Sequence, residues 1–225
     1  MTDWHPGIPL EYRDAIVTGD ARLLAERIPD ESVDLIFTDP PYHPEHMGLY
    51  GLIAGIGARV LKPGGFCVAY CGVAYMDEVM RQMEALTYFW TICGYQPESN
   101  LVFNAKNVGC HWRPILIYSN GKARAPRFIP DLWRTNRDKD HHEWGQGKSL
   151  PERYIDRLTE PGNIVYDPFT GGGTVPAVCK MLGRHYIASE IDPATAERAR
   201  ERVLMTQPPL FVPVHEQIGM MLGVT

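Results

Sequence analysis

Residues 33–42, VDLIFTDPPY, run from an apolar stretch into a carboxylate, two prolines and an aromatic ring. The apolar part, Val33–Thr38, is typical of a strand that is buried on both faces. The ending Asp39-Pro40-Pro41-Tyr42 is not typical of residues that only fill a core, because the prolines remove two backbone donors and hold the chain extended. The Asp39 carboxylate and the Pro40 carbonyl are then fixed acceptors, with the ring of Tyr42 beside them.

Two fixed acceptors beside a flat ring suit an exocyclic amino group. One hydrogen of such a group can go to Asp39 and the other to the Pro40 carbonyl, which exposes the nitrogen lone pair to an electrophile. Tyr42 can stack on a base, an interaction worth about 1–3 kcal/mol. A base inside a duplex would have to be flipped out to reach such a pocket.

A second motif, DPFTGGGT at 167–174, follows a predicted strand at 163–166 and precedes a predicted helix at 175–182. Its glycines allow close approach of a ligand, and a helix N-terminus favours negative charge. Glu190 ends the next strand about 20 residues on, where a carboxylate would hold ribose hydroxyls. The alternative is that Glu190 only serves the start of the next helix, although Asp192 is already a good cap there.

Short apolar runs alternate with helical patterns along the whole chain, which is typical of a mostly parallel sheet covered by helices. Further strands are predicted at 15–18, 66–71, 89–93, 114–118 and 186–188, and helices at 21–27, 49–61, 74–86, 151–158 and 194–203. The runs at 89–93 and 114–118 are predicted to form an antiparallel edge. A chain of 225 residues, 44% of them hydrophobic, suits a single domain over 1–225.

The net charge of −5 is unevenly distributed. Residues 104–139 hold eight basic and two acidic residues, a net +6, so the remainder of the chain carries −11. This asymmetry indicates a basic surface on an acidic body, and an ordinary solvated loop is the alternative.

The sequence gives no support for a membrane protein, a secreted protein or a metal-binding protein. No apolar stretch approaches the roughly 20 residues of a membrane span, and no secretion signal opens the chain, so we expect a cytoplasmic protein. The five cysteines include no CxxC pair, which favours buried free thiols over a disulfide or metal site.

The two motifs, in this order, resemble the amino-methyltransferases of DNA in the permuted β group, in which the Asp-Pro-Pro-Tyr motif precedes the Asp-Pro-Phe-x-Gly-x-Gly motif. The resemblance is carried by 17–42, by 60–65 and by 161–202. It implies a doubly wound, Rossmann-like α/β sheet of seven mostly parallel strands with helices on both faces. It also implies S-adenosylmethionine as the cofactor and DNA as the partner.

Site residues follow from the resemblance position by position. The catalytic set would be Asp39, Pro40, Pro41 and Tyr42. On the methionine side of the cofactor would lie Asp167, Phe169, Gly171 and Gly173, with Thr174 at the helix start. Glu190 would hold the ribose, and Asp20 would lie near the adenine of the cofactor or the pocket entrance. Lys148 and Ser149 resemble the motif that grips the methionine carboxylate, although Ser149 stands where the family has proline.

Family members generally insert a sizeable recognition domain, and here about 28 residues, 120–147, are available. Base readout would then be limited to a loop or shared with a second subunit, and a homodimer is one possibility. The basic residues of this short insertion would contact phosphates: Lys122, Arg124, Arg127, Arg134 and Arg137. Trp133 and Trp144 would either stack on DNA or belong to the core.

The resemblance implies methylation of N6 of a flipped-out adenine, because in the family Asp at the position of Asp39 leans toward adenine and Ser toward cytosine. N4 of cytosine is the nearest alternative. A non-catalytic DNA-binding member of the fold is an alternative of another class. A restriction partner, phage protection and regulation are all open as biological roles.

Overall fold

The computed structural model describes residues 4–134 and 150–207. Its strands are β1 (Ala15–Thr18), β2 (Val33–Thr38), β3 (Leu61–Tyr70), β4 (Thr87–Tyr95), β5 (Leu101–Phe103), β6 (Val108–Cys110), β7 (Trp112–Ser119), β8 (Leu132–Arg134), β9 (Ile164–Asp167) and β10 (His185–Glu190). Eight of them form one sheet in the order β1-β10-β9-β2-β3-β7-β4-β8, while β5 and β6 form a separate hairpin. Strands β1, β10, β9, β2 and β3 are parallel, and β7 runs antiparallel to both of its neighbours.

Helices cover both faces of this sheet. They are α1 (Ala21–Ala25), α2 (Gly48–Val60), α3 (Met76–Gln82), α4 (Leu150–Leu158), α5 (Thr174–Leu182) and α6 (Pro193–Met205). The first three share one buried apolar cluster with the sheet, and the last three share a second cluster on the opposite face. The predicted α/β fold with a mostly parallel sheet is therefore confirmed.

A crevice is expected between β9 and β2. From β9 the chain continues to its neighbour β10 on one side, whereas from β2 it continues to β3 on the other side. Ligands of doubly wound sheets bind at the carboxyl ends of the strands where the winding reverses in this way. Asp34 fixes the strands beneath this point, since its carboxylate accepts from Lys62 Nζ at 2.7 Å and from the Ile164 amide at 2.8 Å.

The main sheet differs from the sequence-based prediction in its number of strands and in the start of β3. The sheet has eight strands rather than seven, because β8 adds a short parallel strand outside β4. Strand β3 begins at Leu61, before the predicted turn at 62–65. The register explains this: Val33 pairs with Leu61 and Leu35 with Phe66, so the turn residues form an irregularity within one strand.

The predicted insertion is described as far as residue 134: it is irregular up to residue 131, as predicted, then forms β8, and it packs against the helices rather than standing free. Ala123, Ala125, Ile129 and Trp133 pack against the apolar cluster of α4–α6. The Tyr154 hydroxyl of α4 donates to the Pro130 carbonyl at 2.7 Å. The interpretation of Trp133 as a core residue is therefore favoured. Residues 135–147, with Arg137 and Trp144, lie outside the described residues.

The cysteines are free thiols, and four of the five are buried. Burial raises the pKa of Cys67 and of Cys71 to about 12, which makes both poor nucleophiles. Within 4–134 and 150–207, no helix combines the length and the apolar character that a membrane span needs.

Candidate active site

Four neighbouring parallel strands each end close to a carboxylate residue, so these four residues lie at the same edge of the sheet. In spatial order these are Asp20 after β1, Glu190 at the end of β10, Asp167 at the end of β9 and Asp39 after β2. With about 4.8 Å between strands, the row spans roughly 15 Å and crosses the crevice between β9 and β2. The structure thus brings together the two motifs that the sequence separates by more than a hundred residues.

Asp39 is accessible from solvent and partly enclosed by protein. Its side chain is 49% exposed, while burial of the remainder raises its pKa to about 6, against the lowering effect of Arg113. Among the described residues, no donor forms a hydrogen bond to this carboxylate; the Nη1 atom of Arg113 lies 3.7 Å away. The lone pairs of Asp39 are therefore available to a substrate.

The rest of the Asp-Pro-Pro-Tyr motif frames this carboxylate. Pro40 is buried, Pro41 is exposed and Tyr42 is half-buried. In the described part of the chain, the Pro40 carbonyl accepts no hydrogen bond. Within the described residues, both predicted acceptors thus lack a hydrogen-bond donor, as an incoming amino group requires.

Arg113 is a residue of this site that the sequence analysis missed. Its Nη1 donates to the Tyr42 hydroxyl at 3.4 Å, and its guanidinium carbon lies 5.4 Å from the centre of the Tyr42 ring and 5.7 Å from that of Tyr70. Because β7 is antiparallel to β3, its beginning lies at the carboxyl edge of the parallel strands. An arginine at the start of a predicted antiparallel strand was a usable signal, but the sequence analysis counted Arg113 only within the basic segment.

Asp167 is a buried carboxyl at the centre of the row. Its residue is 3% exposed, and burial raises its pKa to about 7. The Thr38 and Thr170 hydroxyls and the Phe169 amide, which donates at 3.2 Å, oppose that rise, and the charge of Asp39 adds to it. Near neutral pH this carboxyl therefore exchanges a proton, unlike an exposed aspartate.

Glu190 and the glycine loop form one hydrogen-bonded unit. The Gly171 amide donates to Glu190 Oε2 and the Asp192 amide donates to Oε1, both at 3.0 Å. Asp192 caps α6, accepting from the Thr195 amide at 2.8 Å, so Glu190 is not needed as the cap. The Glu190 carboxylate is fixed in orientation and keeps lone pairs for further donors.

Gly173, the second glycine of the Gly-x-Gly pattern, allows close packing of the loop against α6. Gly173 has φ +75°, and a Cβ there would lie 2.9 Å from Ala199 Cβ and 3.0 Å from the Ala199 carbonyl oxygen. Thr174 is also tied to α6, since its hydroxyl accepts from Arg202 Nη1 at 2.8 Å. The predicted ligand approach at Gly173 is therefore accompanied by a close contact between the loop and α6.

Of the remaining cofactor candidates, Asp20 lies at one end of the row and Phe169 follows Asp167 at its centre. Asp20 caps α1, accepting from the Arg22 amide at 2.9 Å, and the preceding Gly19 amide donates to the Glu190 carbonyl at 2.9 Å. Phe169 is half-buried against the apolar cluster of α1–α3. Lys148 and Ser149 lie outside the described residues.

The predicted DNA-contacting residues do not lie together. Lys122 follows Asn120, whose carbonyl accepts from the Gly64 amide at 2.8 Å, at the amino edge of the sheet. Arg127 donates to the Thr159 carbonyl at 3.0 Å and to Glu160 at 2.6 Å, beyond the end of α4 and also at the amino edge.

Arg134 has a different position. It is exposed and ends β8, pairing with Tyr95 at the end of β4, so it lies at the carboxyl edge together with Asp39 and Arg113. Arg124 is exposed and lies in the chain between Lys122 and Arg127, both at the amino edge. Of the four described candidates, only Arg134 is placed by its strand at the same edge as the predicted catalytic motif.

A metal centre finds no support in the residues that the structure describes, which contain no group of three or more His, Cys, Asp or Glu side chains suited to hold an ion.

Comparison with known proteins gives a consistent picture. The model of the family N6_N4_Mtase, described as DNA methylase, matches residues 33–201. The type II methyltransferase M.HpaI of Haemophilus parainfluenzae is 24% identical over 84% of this chain and 73% of its own length. The type II methyltransferase M.BglII of Bacillus subtilis is 27% identical over 82% of this chain and 67% of its own length.

Solved structures agree at the level of the fold. The PvuII DNA methyltransferase, described as cytosine-N4-specific, superimposes with a TM-score of 0.73 at 19% identity, over 92% of this chain and 90% of its own. A complex of M1.HpyAVI with SAM gives a TM-score of 0.66 at 24% identity, over 84% and 98% of the two chains.

Proposed function

The chain belongs to the N6_N4_Mtase family of DNA methylases, and from that premise we propose that it transfers the methyl group of S-adenosylmethionine to N6 of an adenine flipped out of DNA. One observation carries the proposal. The Asp39 carboxylate and the Pro40 carbonyl, both without a protein donor among the described residues, lie beside the Tyr42 ring at the crevice between β9 and β2.

The residues of the crevice fit this cofactor. S-adenosylmethionine supplies an electrophilic methyl group on a positively charged sulfonium, which the ionised carboxylates of the row favour. Glu190, already oriented by two amides, would accept from the ribose hydroxyls, and Asp20 on the next strand would lie toward the adenine. Ile191, 69% exposed next to Glu190, offers an apolar surface beside them.

The other end of the cofactor would lie toward β9. Asp167 and Phe169 would line its methionine part, next to Gly171, Gly173 and Thr174. The backbone of this loop is fixed by Glu190 and α6, so the surface offered to the cofactor is preorganised. Lys148 and Ser149 remain our proposal for the carboxylate of the methionine part.

Methyl transfer then depends on how Asp39, Pro40 and Tyr42 hold the base. The two N–H groups of the amine donate to the Asp39 carboxylate and to the Pro40 carbonyl, and the base stacks on Tyr42. With both hydrogens held, the nitrogen lone pair is directed out of conjugation and toward the cofactor. The nitrogen must also lose a proton, and the raised pKa of Asp39, about 6, makes it a better proton acceptor than an exposed aspartate.

DNA must approach the carboxyl edge, because Asp39 opens there. Arg134 and the hairpin of β5 and β6, whose Leu101, Val102 and Val108 are about half exposed, lie on this edge. We therefore assign phosphate contact chiefly to Arg134, with Arg137 as a further candidate. Lys122 and Arg127, and Arg124 between them in the chain, lie toward the opposite, amino edge of the sheet, and a homodimer could supply additional contacts.

The direct test is nucleoside mass spectrometry. The protein is incubated with S-adenosylmethionine and plasmid DNA from a host without DNA methylation, and the digest is analysed beside Asp39→Asn and Asp39→Ala. We expect N6-methyladenine from the wild type and at least a hundredfold less from both variants, on the order of the loss for a main electrostatic group. Asp30→Asn, at an exposed aspartate paired with Arg59 away from the crevice, is the matched control and should methylate normally.

Each other outcome changes the proposal in a defined way. N4-methylcytosine would keep the mechanism and correct the base, since the amino group of cytosine satisfies the same two acceptors. Calorimetric binding of S-adenosylmethionine with no methylated nucleoside would contradict transfer to DNA by this chain alone. Absence of cofactor binding would favour a non-catalytic member of the fold.

A further inference from the structure

Arg113 contacts both groups that the proposed function assigns to the target base. We infer that Arg113 is a positioning residue for methyl transfer, fixing the Asp39 carboxylate and the Tyr42 ring relative to each other where the amino group must arrive. The catalytic part of this inference rests on the proposed function. The geometric part rests on the contacts of the Arg113 side chain.

The guanidinium lies where it can act on both groups at once. Its Nη1 is 3.7 Å from Asp39 Oδ2 and 3.4 Å from the Tyr42 hydroxyl. Its carbon lies within 6 Å of the centres of the Tyr42 and Tyr70 rings, the range of a cation–π interaction. A planar, permanently charged group between two rings and a carboxylate is a role that arginine performs better than lysine.

Neighbouring strands fix the backbone at Arg113 and at Tyr70. Arg113 pairs with Gly94 of β4, where an added Cβ would lie 3.0 Å from the Arg113 carbonyl oxygen. The next carbonyl, that of Pro114, accepts from the Cys71 amide at 3.2 Å. Tyr70 is held as well, because its carbonyl accepts from the Tyr50 hydroxyl at 2.9 Å. The arginine therefore projects from a fixed point toward Asp39.

The charges around Asp39 show what loss of the guanidinium would do. The groups that interact electrostatically with Asp39 are Arg113 of β7, Tyr70 of β3, Tyr50 of α2 and Asp167 of β9. Within the described residues, Arg113 is the cation of this set, and the two tyrosines stay neutral because their pKa values are raised above 10. Without Arg113, Asp39 would face a second carboxyl and no cation, so it would retain its proton to higher pH.

The experiment compares Arg113→Gln and Arg113→Lys in single-turnover methyl transfer between pH 5.5 and 9. For Arg113→Gln we expect the acidic limb of the pH–rate profile to move about one pH unit upward. The rate would then be about fivefold lower near pH 6, where wild-type Asp39 is half protonated, and within about threefold of wild type at pH 9. Arg113→Lys keeps the charge and should keep the position of the limb.

A matched control exists at the other end of the sheet. Arg27 also lies over a tyrosine ring, that of Tyr12 at 5.0 Å, and also pairs with a carboxylate, Glu11 at 2.5 Å. Arg27→Gln removes the same kinds of contact away from Asp39. It should leave the pH–rate profile unchanged.

A second measurement does not depend on activity. The carboxyl carbons of isotope-labelled aspartates are titrated by NMR in the free protein, with Asp39 assigned by its loss in Asp39→Asn. The pKa of Asp39 should rise in Arg113→Gln and stay near its wild-type value in Arg113→Lys.

The outcomes separate this inference from the proposed function. An unchanged Asp39 titration in Arg113→Gln overturns the inference, as does a rate loss of equal size at every pH. If the wild type transfers no methyl group to DNA, the proposed function fails, and the NMR titration still decides whether Arg113 controls Asp39.

Discussion

The amide of Gly171 donates to Oε2 of Glu190 at 3.0 Å, joining the glycine loop after β9 to the end of β10. The other carboxylate oxygen accepts from the Asp192 amide, also at 3.0 Å. One side chain thus holds two separate turns at the edge where the cofactor is proposed to bind. Glu190 has a structural task in addition to its proposed contact with ribose.

Substitution at Glu190 should separate these two tasks. Glu190→Gln keeps an acceptor for one amide but removes the charge, and Glu190→Ala removes both acceptors. Since a hydrogen bond to a charged group is worth about 1.5–3 kcal/mol, we expect S-adenosylmethionine to bind about 10- to 100-fold more weakly to the glutamine variant. The alanine variant should bind more weakly still and lose thermal stability, measured by calorimetry and thermal unfolding. Equal cofactor affinity in all three proteins would contradict the ribose assignment.

Gly173 and Gly171 offer a matched pair for testing the loop. Both have positive φ, +75° and +49°, but a Cβ at Gly173 would meet Ala199 at 2.9 Å, whereas a Cβ at Gly171 would meet nothing within 4 Å. Gly171→Ala should therefore cost about 1 kcal/mol of unfolding free energy, from the backbone conformation alone. Gly173→Ala should cost about 2–4 kcal/mol, because overpacking against α6 is added.

Urea unfolding of the two variants measures this difference directly. Equal losses of stability would show that backbone conformation alone explains the glycines, and that α6 moves away from Gly173 without cost.

Much of the site could be predicted because its residues end strands. Asp39, Asp167 and Glu190 each follow an apolar run, and parallel strands present their carboxyl ends at one edge, so sequence patterns alone indicate that these side chains share a crevice. The family match to residues 33–201 covers both of these motifs.

The missed features depend on direction and on packing rather than on composition. Arg113 joins the site because β7 runs antiparallel, and a count of basic residues carries no such information. The insertion was predicted as a basic loop because its charges are conspicuous. Its small and apolar residues at Ala123, Ala125 and Ile129, which pack on the α4–α6 face, were the weaker and more informative signal.

Asp167 should make stability fall as pH rises. Its pKa is raised from 3.8 to about 7 by burial, so the folded state holds the proton more tightly than the unfolded state does. The stabilising effect is therefore present below about pH 4 and is lost as pH rises toward 7. Asp167→Asn removes this titration, so its unfolding free energy relative to wild type should improve by on the order of 3 kcal/mol between pH 4 and pH 8.

Urea unfolding at pH 4, 6 and 8 checks this, with Asp30→Asn as an exposed control that should show no such trend. A relative stability of Asp167→Asn that does not change with pH would mean that Asp167 titrates normally in the folded protein.

Arg134 and Lys122 should differ in their effect on DNA binding, although both belong to the basic segment. Arg134 ends β8 at the carboxyl edge, near Arg113, whereas Lys122 lies beside Gly64 at the amino edge. A residue that neutralises one phosphate contributes about 0.9 to the slope of log affinity against log salt. Arg134→Gln should therefore weaken binding to a plasmid fragment severalfold and reduce that slope by about one.

Lys122→Gln has the same change of charge and should leave both quantities at wild-type values, measured by fluorescence anisotropy between 50 and 200 mM salt. Equal effects of the two variants would place DNA across both edges of the sheet, and an effect of Lys122→Gln alone would place it at the amino edge, away from Asp39.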